Sequence, residues 1–220
     1  MVHEVGAELA PPAAAIGRPV GIAVLLLGVI AAAPAAAQTF AIDPASSTTA
    51  IEVGKAGLFS FAAGHTHEVK GSIECGSVAL DARDASKSRV DLVIATKSLQ
   101  VSAKGEPPDD VPKVQAAMAG EKVLDVARFP RITFRSSAVK GVRADDASFD
   151  ATVTGTLTIR DKSQPVTATV HVQKTSASLT ATGRFTIKQT AFGIQPVSVA
   201  GVVKVEDEVR IAFSINAKAQ

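Results

Sequence analysis

Apolar and polar residues alternate without a break from Ser148 to Arg160. Phe149, Ala151, Val153, Gly155, Leu157 and Ile159 fall on one side, and Ser148, Asp150, Arg160 and a row of threonines on the other. A period of two marks a β-strand with one dry face. Three further runs repeat it, with apolar sides Val166, Ala168, Val170 and Val172, then Leu179, Ala181, Gly183, Phe185 and Ile187, then Val209, Ile211, Phe213, Ile215 and Ala217. None of these sides carries a charge. Strands of this kind enclose an unreactive interior, better suited to holding an apolar molecule than to transforming one.

Shorter strands are predicted at Thr39–Ile42 and Thr48–Val53 around an Asp43-Pro44 turn, with a further piece at Leu58–Phe61. Glu68–Leu80 and Arg89–Thr96 read as a pair. The pattern then changes once, because Val111, Val114 and Met118 follow Asp109-Asp110 at helical spacing until Gly120. That spacing predicts an amphipathic helix of about ten residues lying across an end of the sheet, with the aspartates as caps. Strands resume at Arg131–Lys140, Ser148–Arg160, Pro165–Gln173 and Ser178–Lys188. A final pair, Val197–Val205 and Glu208–Lys218, is expected around a tight Glu206-Asp207 turn.

Short connections favour antiparallel neighbours. About eight strands, each with one dry face, are hidden best by a closed barrel, which also removes exposed edges; a two-layer sandwich does so less completely. The expected fold is therefore an all-β, closed antiparallel barrel with one short helix. In water the threonine-rich face must point outward. An outer-membrane barrel would invert that assignment, but it calls for girdles of tyrosine and tryptophan, and the sequence contains neither residue.

The first 37 residues differ from the rest. Arg18 precedes the apolar stretch Val20–Ile30, about half the length of the roughly 20 residues a membrane span needs. Small residues, Ala35-Ala36-Ala37, then precede Gln38. This is the layout of a cleavable secretory signal, although Glu4 and Glu8 sit where a basic region is usual. Residues 38–220 are then the mature, exported domain, without a transmembrane segment. Cleavage lowers the 23 basic and 21 acidic residues to 22 and 19, and a balance of +3 gives no reason to expect nucleic acid. Cys75 has no partner for an internal disulfide and is expected to be a small buried hydrophobe.

Five segments occur in the order found in YceI-like proteins, which the chain resembles across essentially its whole mature length. They are Ile42-Asp43-Pro44-Ala45-Ser46-Ser47, Gly64-His65-Thr66-His67-Glu68-Val69-Lys70-Gly71, Asp125-Val126-Ala127-Arg128-Phe129-Pro130-Arg131-Ile132-Thr133-Phe134, Gly155-Thr156-Leu157-Thr158-Ile159-Arg160 and Phe192-Gly193-Ile194. The resemblance implies a lipocalin-like barrel in the periplasm that holds a polyisoprenoid in a long internal cavity. Phe40 stands where many members carry tryptophan.

The candidate lining is Phe134, Phe149, Val153, Leu157, Phe185, Ile187, Ile211 and Phe213, each equally explained as ordinary core. Ala151, Gly155, Ala168, Ala181, Gly183 and Ala217 lie among them, and their small size either leaves a cavity or is filled by larger residues opposite. On the cavity reading, Gly155→Phe would block the interior and leave the fold intact. Two ligand classes suit such a site, a polyprenyl phosphate and an isoprenoid quinone. A phosphate head group would sit at a rim near Lys70, Arg160 or Lys188.

Reaction chemistry has a single candidate. In an extended segment His65 and His67 face the same way, and with Glu68 they suggest a metal-dependent enzyme as the alternative. His171 stands alone on a polar strand face, and no serine or cysteine motif accompanies any histidine. Three readings follow: a non-catalytic lipid carrier without a cofactor, a metal-dependent enzyme, and a ligand-free barrel that acts in stress response through its outer surface. Oligomeric state stays open, a homodimer included.

Overall fold

The computed structural model describes residues 1, 37–56, 66–81, 84–104, 107–143, 146–196, 198–199 and 203–220. Its strands are β1 (Gln38–Ile42), β2 (Thr48–Ala56), β3 (His67–Leu80), β4 (Arg89–Ala95), β5 (Gln100–Val101), β6 (Arg131–Lys140), β7 (Ser148–Ile159), β8 (Lys162–Lys174), β9 (Ser178–Lys188), β10 (Ser198–Val199) and β11 (Val203–Ala219). Helix α1 spans Val111–Ala119. Eight strands form a closed antiparallel barrel in the order β2-β3-β4-β6-β7-β8-β9-β11, with β11 pairing back onto β2. Closure leaves none of these eight with an unpaired side.

The remaining short strands extend this wall. β1 runs in line with β2, pairing with β11 at Ile42↔Ala217 and with β3 at Phe40↔Val78. Asp43 makes the break between them, accepting from the Ala45 amide at 3.1 Å and from Lys218 Nζ at 2.9 Å. Its hydrogen bond to Lys218 is the main reason its carboxyl titrates below the usual carboxylate range. In the same way β5 continues β4 alongside β3.

Apolar sides point inward and threonines outward. Phe149, Ala151, Leu157 and Ile159 are buried while Thr152 and Thr156 are exposed. Serine, threonine and charge on the outer face are what water solvates and hydrocarbon does not. Among the described residues no helix is long and apolar enough to cross a membrane.

Three expectations need correction or lie out of view. The final hairpin does not turn at Glu206-Asp207. Val203–Ala219 is one strand with an irregularity between Val205 and Val209, and the strand that precedes it in the hairpin is β10, paired at Val199↔Val203. The acidic run reads as a turn, yet it is absorbed as a bulge because its groups find partners. Asp207 accepts from the Thr190 amide and hydroxyl at 2.8 Å each, and the amide bond chiefly holds its carboxyl below the ordinary value. Cys75 is exposed, not buried. An extra residue between Ile73 and Cys75 reverses the in–out parity of β3, so Glu74 and Cys75 both face solvent. The strand expected at Leu58–Phe61 falls outside the described residues.

Candidate functional site

Two buried apolar clusters, one toward each end of the barrel, flank a central space that both help to line. One end holds Phe40, Ile42, Val78, Leu80, Val172 and Leu179, with Phe40 fully buried. The other holds Leu99, Leu124, Ile132, Ile159, Phe192 and Ile194. Between them runs a belt of inward-pointing but only half-buried side chains: Leu92, Phe134, Val153, Ala168, Phe185 and Phe213. These side chains pack against the two clusters on their flanks but leave space toward the barrel axis. The belt is therefore the wall of a cavity, whose volume is 230 Å³.

All eight residues named from the alternation line this cavity. Its described wall is apolar except for Thr49 and Gln189, and both are already engaged. Thr49 Oγ1 donates to the Gly71 carbonyl at 3.2 Å, and Gln189 Nε2 donates to the Glu206 carbonyl at 2.7 Å. A space without polar partners does not hold ordered water. An engineered apolar cavity of about 150 Å³ accepts benzene. In proportion, 230 Å³ takes on the order of nine carbons, about two isoprene units, before any side chain moves.

The glycines do not contribute to that space. A Cβ on Gly155 would lie 2.5 Å from the Arg135 carbonyl oxygen and 2.5 Å from Phe134 Cζ. A Cβ on Gly183 would lie 2.6 Å from Phe213 Cζ. Each glycine is thus covered by a phenylalanine of the neighbouring strand, and Gly155→Phe would break the wall instead of filling the cavity.

The end nearer α1 carries the polar groups. Gln115 ties the helix to β5 with both ends of its carboxamide, Oε1 accepting from the Val101 amide at 2.8 Å and Nε2 donating to the Leu99 carbonyl at 3.0 Å. Met118, Val123 and Leu124 then close over the cavity. Asp110 precedes the helix but holds Lys113 Nζ at 2.9 Å rather than capping an amide.

Arg160 fastens this cover from the β7–β8 turn. Its Nη1 reaches the Val123 carbonyl at 3.5 Å, and its guanidinium lies 5.5 Å from the Phe129 ring centre, with Arg128 at 5.2 Å from the same ring. Two signs of strain meet here. Arg160 (φ 57°) and Asp125 (φ 47°) are the non-glycine residues with positive φ among those described. Arg160 Nε is also buried with no hydrogen-bond partner.

Of the other rim cations, Lys188 is exposed at the same end, whereas Lys70 points out from β3 and pairs with Glu68 at 3.2 Å. His65 lies outside the described residues, and among the described ones no three His, Cys, Asp or Glu side chains gather to hold a metal. His171 is not isolated. It stands between Asp150 and Ser148, a contact across strands that a linear pattern does not reveal.

The pattern of the YceI-like domain matches residues 40–217. No curated protein matches the chain. Among solved structures, BcnA of Burkholderia cenocepacia is 25% identical with a TM-score of 0.57, the match covering 80% of this chain and 99% of that one. The YCEI protein of Campylobacter jejuni is 14% identical with a TM-score of 0.49, over 66% of this chain and 80% of its own.

Proposed function

We propose, for a chain that belongs to the YceI-like family, that its barrel carries an isoprenoid lipid in the central cavity without transforming it. The observation that supports this reading is the belt of half-buried apolar side chains around an unfilled apolar space. Protein interiors close to crystal-like density unless something else fills the space. Burying CH₂ groups contributes about 0.8 kcal/mol each, or roughly 4 kcal/mol for a five-carbon unit, so two units supply about 8 kcal/mol before ordering costs. No charge or nucleophile is needed inside.

The occupant is a polyprenyl phosphate or an isoprenoid quinone. Its first two units sit between Phe134, Phe149, Val153, Leu157, Phe185, Ile187, Ile211 and Phe213. Its polar end lies toward Arg160 and Lys188, where the cover and the cations coincide. Cleavage after Ala37 exports the carrier to the periplasm, where it stores or moves its lipid.

Chain length tests this. Affinity measured by calorimetry for prenyl phosphates of increasing length is expected to tighten at least tenfold from one unit to two, and then to rise more slowly as the chain outgrows the cavity. Equal affinity for all lengths, or for phosphate alone, would contradict the reading.

A further inference from the structure

The outer wall carries a constellation separate from the cavity. Asp150 on β7 lies directly opposite His171 on β8, and Ser148 directly opposite Gln173. Ser148 and Asp150 are two residues apart on one strand and so share a face. All four side chains are exposed on the outside of the barrel. A single histidine reaches two of them: His171 Nδ1 is 2.8 Å from Asp150 Oδ1, and Nε2 is 3.3 Å from Ser148 Oγ.

The chemistry of the donors fixes their roles. A carboxylate only accepts, so in the neutral ring the hydrogen sits on Nδ1, facing Asp150, and the Nε2 lone pair faces the Ser148 hydroxyl. This is the order of nucleophile, base and orienting acid that activates a serine, recognised by geometry and not by position in the chain. A shallow depression bordered by Asp150, His171, Thr182 and Arg184 adjoins the acid and the base; Ser148 is not part of its lining, and its exposed Oγ is reached from solvent.

We propose that Ser148, His171 and Asp150 form a reactive serine site on the outer barrel wall that hydrolyses small activated esters. Ser148 Oγ bonds to the ester carbonyl carbon while His171 Nε2 takes the hydroxyl proton. The tetrahedral adduct collapses as the bond to the leaving oxygen breaks, and that oxygen takes the proton from His171. Water then adds to the acyl carbon with His171 again accepting a proton, the bond to Ser148 Oγ breaks, and the proton returns to Ser148. The sum is ester plus water giving acid plus alcohol.

The carboxamide of Gln173, directly across the ladder from Ser148, is of a type that donates to a developing oxyanion. Directly opposed residues place their Cβ atoms about 4.5–5.5 Å apart. The amides that β7 and β8 exchange across their ladder are committed to it, which leaves the site without those donors; a backbone oxyanion hole contributes about 10²–10³ in rate elsewhere. This limits the substrates to esters with good leaving groups. Proton transfer through a positioned histidine supplies about 10²–10⁴.

The full chain is treated with a fluorophosphonate reagent and, separately, with p-nitrophenyl acetate. In the first reaction a Ser148 Oγ–phosphorus bond replaces the phosphorus–fluorine bond, and fluoride leaves. Peptide mass spectrometry is expected to place the label on Ser148. His171→Gln is expected to slow labelling about a hundredfold, in line with the loss of general-base catalysis, and Asp150→Asn at least tenfold. Ester hydrolysis should fall to the uncatalysed rate in Ser148→Ala. Labelling as fast in His171→Gln as in the unmodified protein, or ester turnover that survives Ser148→Ala, overturns the proposal. None of the three residues is part of the cavity wall, so either result leaves the lipid reading to be decided on its own test.

Discussion

Leu157→Trp is expected to abolish lipid binding while the barrel still folds. Leu157 is buried at 4% exposure yet lines the cavity, on the strand that faces Phe134. The larger indole enters the space an isoprene unit would occupy. Losing the burial of one such unit removes roughly 4 kcal/mol of gross transfer energy, so affinity for a prenyl phosphate should fall at least a hundredfold. Overpacking and the unpaired indole N–H cost on the order of 1–3 kcal/mol each. Val153→Phe makes the same test without a polar atom, because Val153 belongs to the half-buried belt. Calorimetry for affinity and a thermal melt for the fold separate the two effects. Unchanged affinity in both variants would place the ligand elsewhere.

Gly155→Ala is expected to damage stability rather than binding. The added methyl meets the Arg135 carbonyl oxygen and the Phe134 ring at 2.5 Å each, closer than side-chain carbons approach other atoms. The backbone carbonyl cannot rotate away, so the cost is about 2–4 kcal/mol. In a domain of this size that lowers the melting temperature on the order of 10 °C. Adding Phe134→Leu should recover part of the loss by relieving the ring contact but not the backbone one. A melting temperature within a degree or two of the unmodified protein would show that β6 and β7 can separate at this point.

These two positions also show what one chain of letters discloses. Alternation names Val153 and Leu157 as inward because parity is local, and the same parity brings all eight candidate residues to the cavity wall. Whether a glycine among them is a gap depends on register. Phe134 covers Gly155 because β6 pairs Ser136 with Gly155 and Phe134 with Leu157, and no pattern within either strand states that. Parity itself fails at bulges. Cys75 turned outward and the Glu206-Asp207 run stayed within a strand because one or more extra residues were absorbed, a choice made by partners such as Thr190 rather than by propensity. Helix α1 was legible from Val111, Val114 and Met118. Its task as a cover fastened by Gln115 and Arg160 was not, since both bonds cross between distant segments.

The same limit explains His171. A lone histidine on a threonine-rich face carries no signal, and its meeting with Asp150 and Ser148 is a property of the β7–β8 register.

Native mass spectrometry of the protein purified from its own host tests the carrier function most directly. The expected spectrum shows one added mass per chain, extractable into organic solvent and identified as an isoprenoid, and lost in Leu157→Trp. An empty barrel that also refuses added polyprenol and polyprenyl phosphate would contradict it, and would leave the outer surface as the functional part of the molecule.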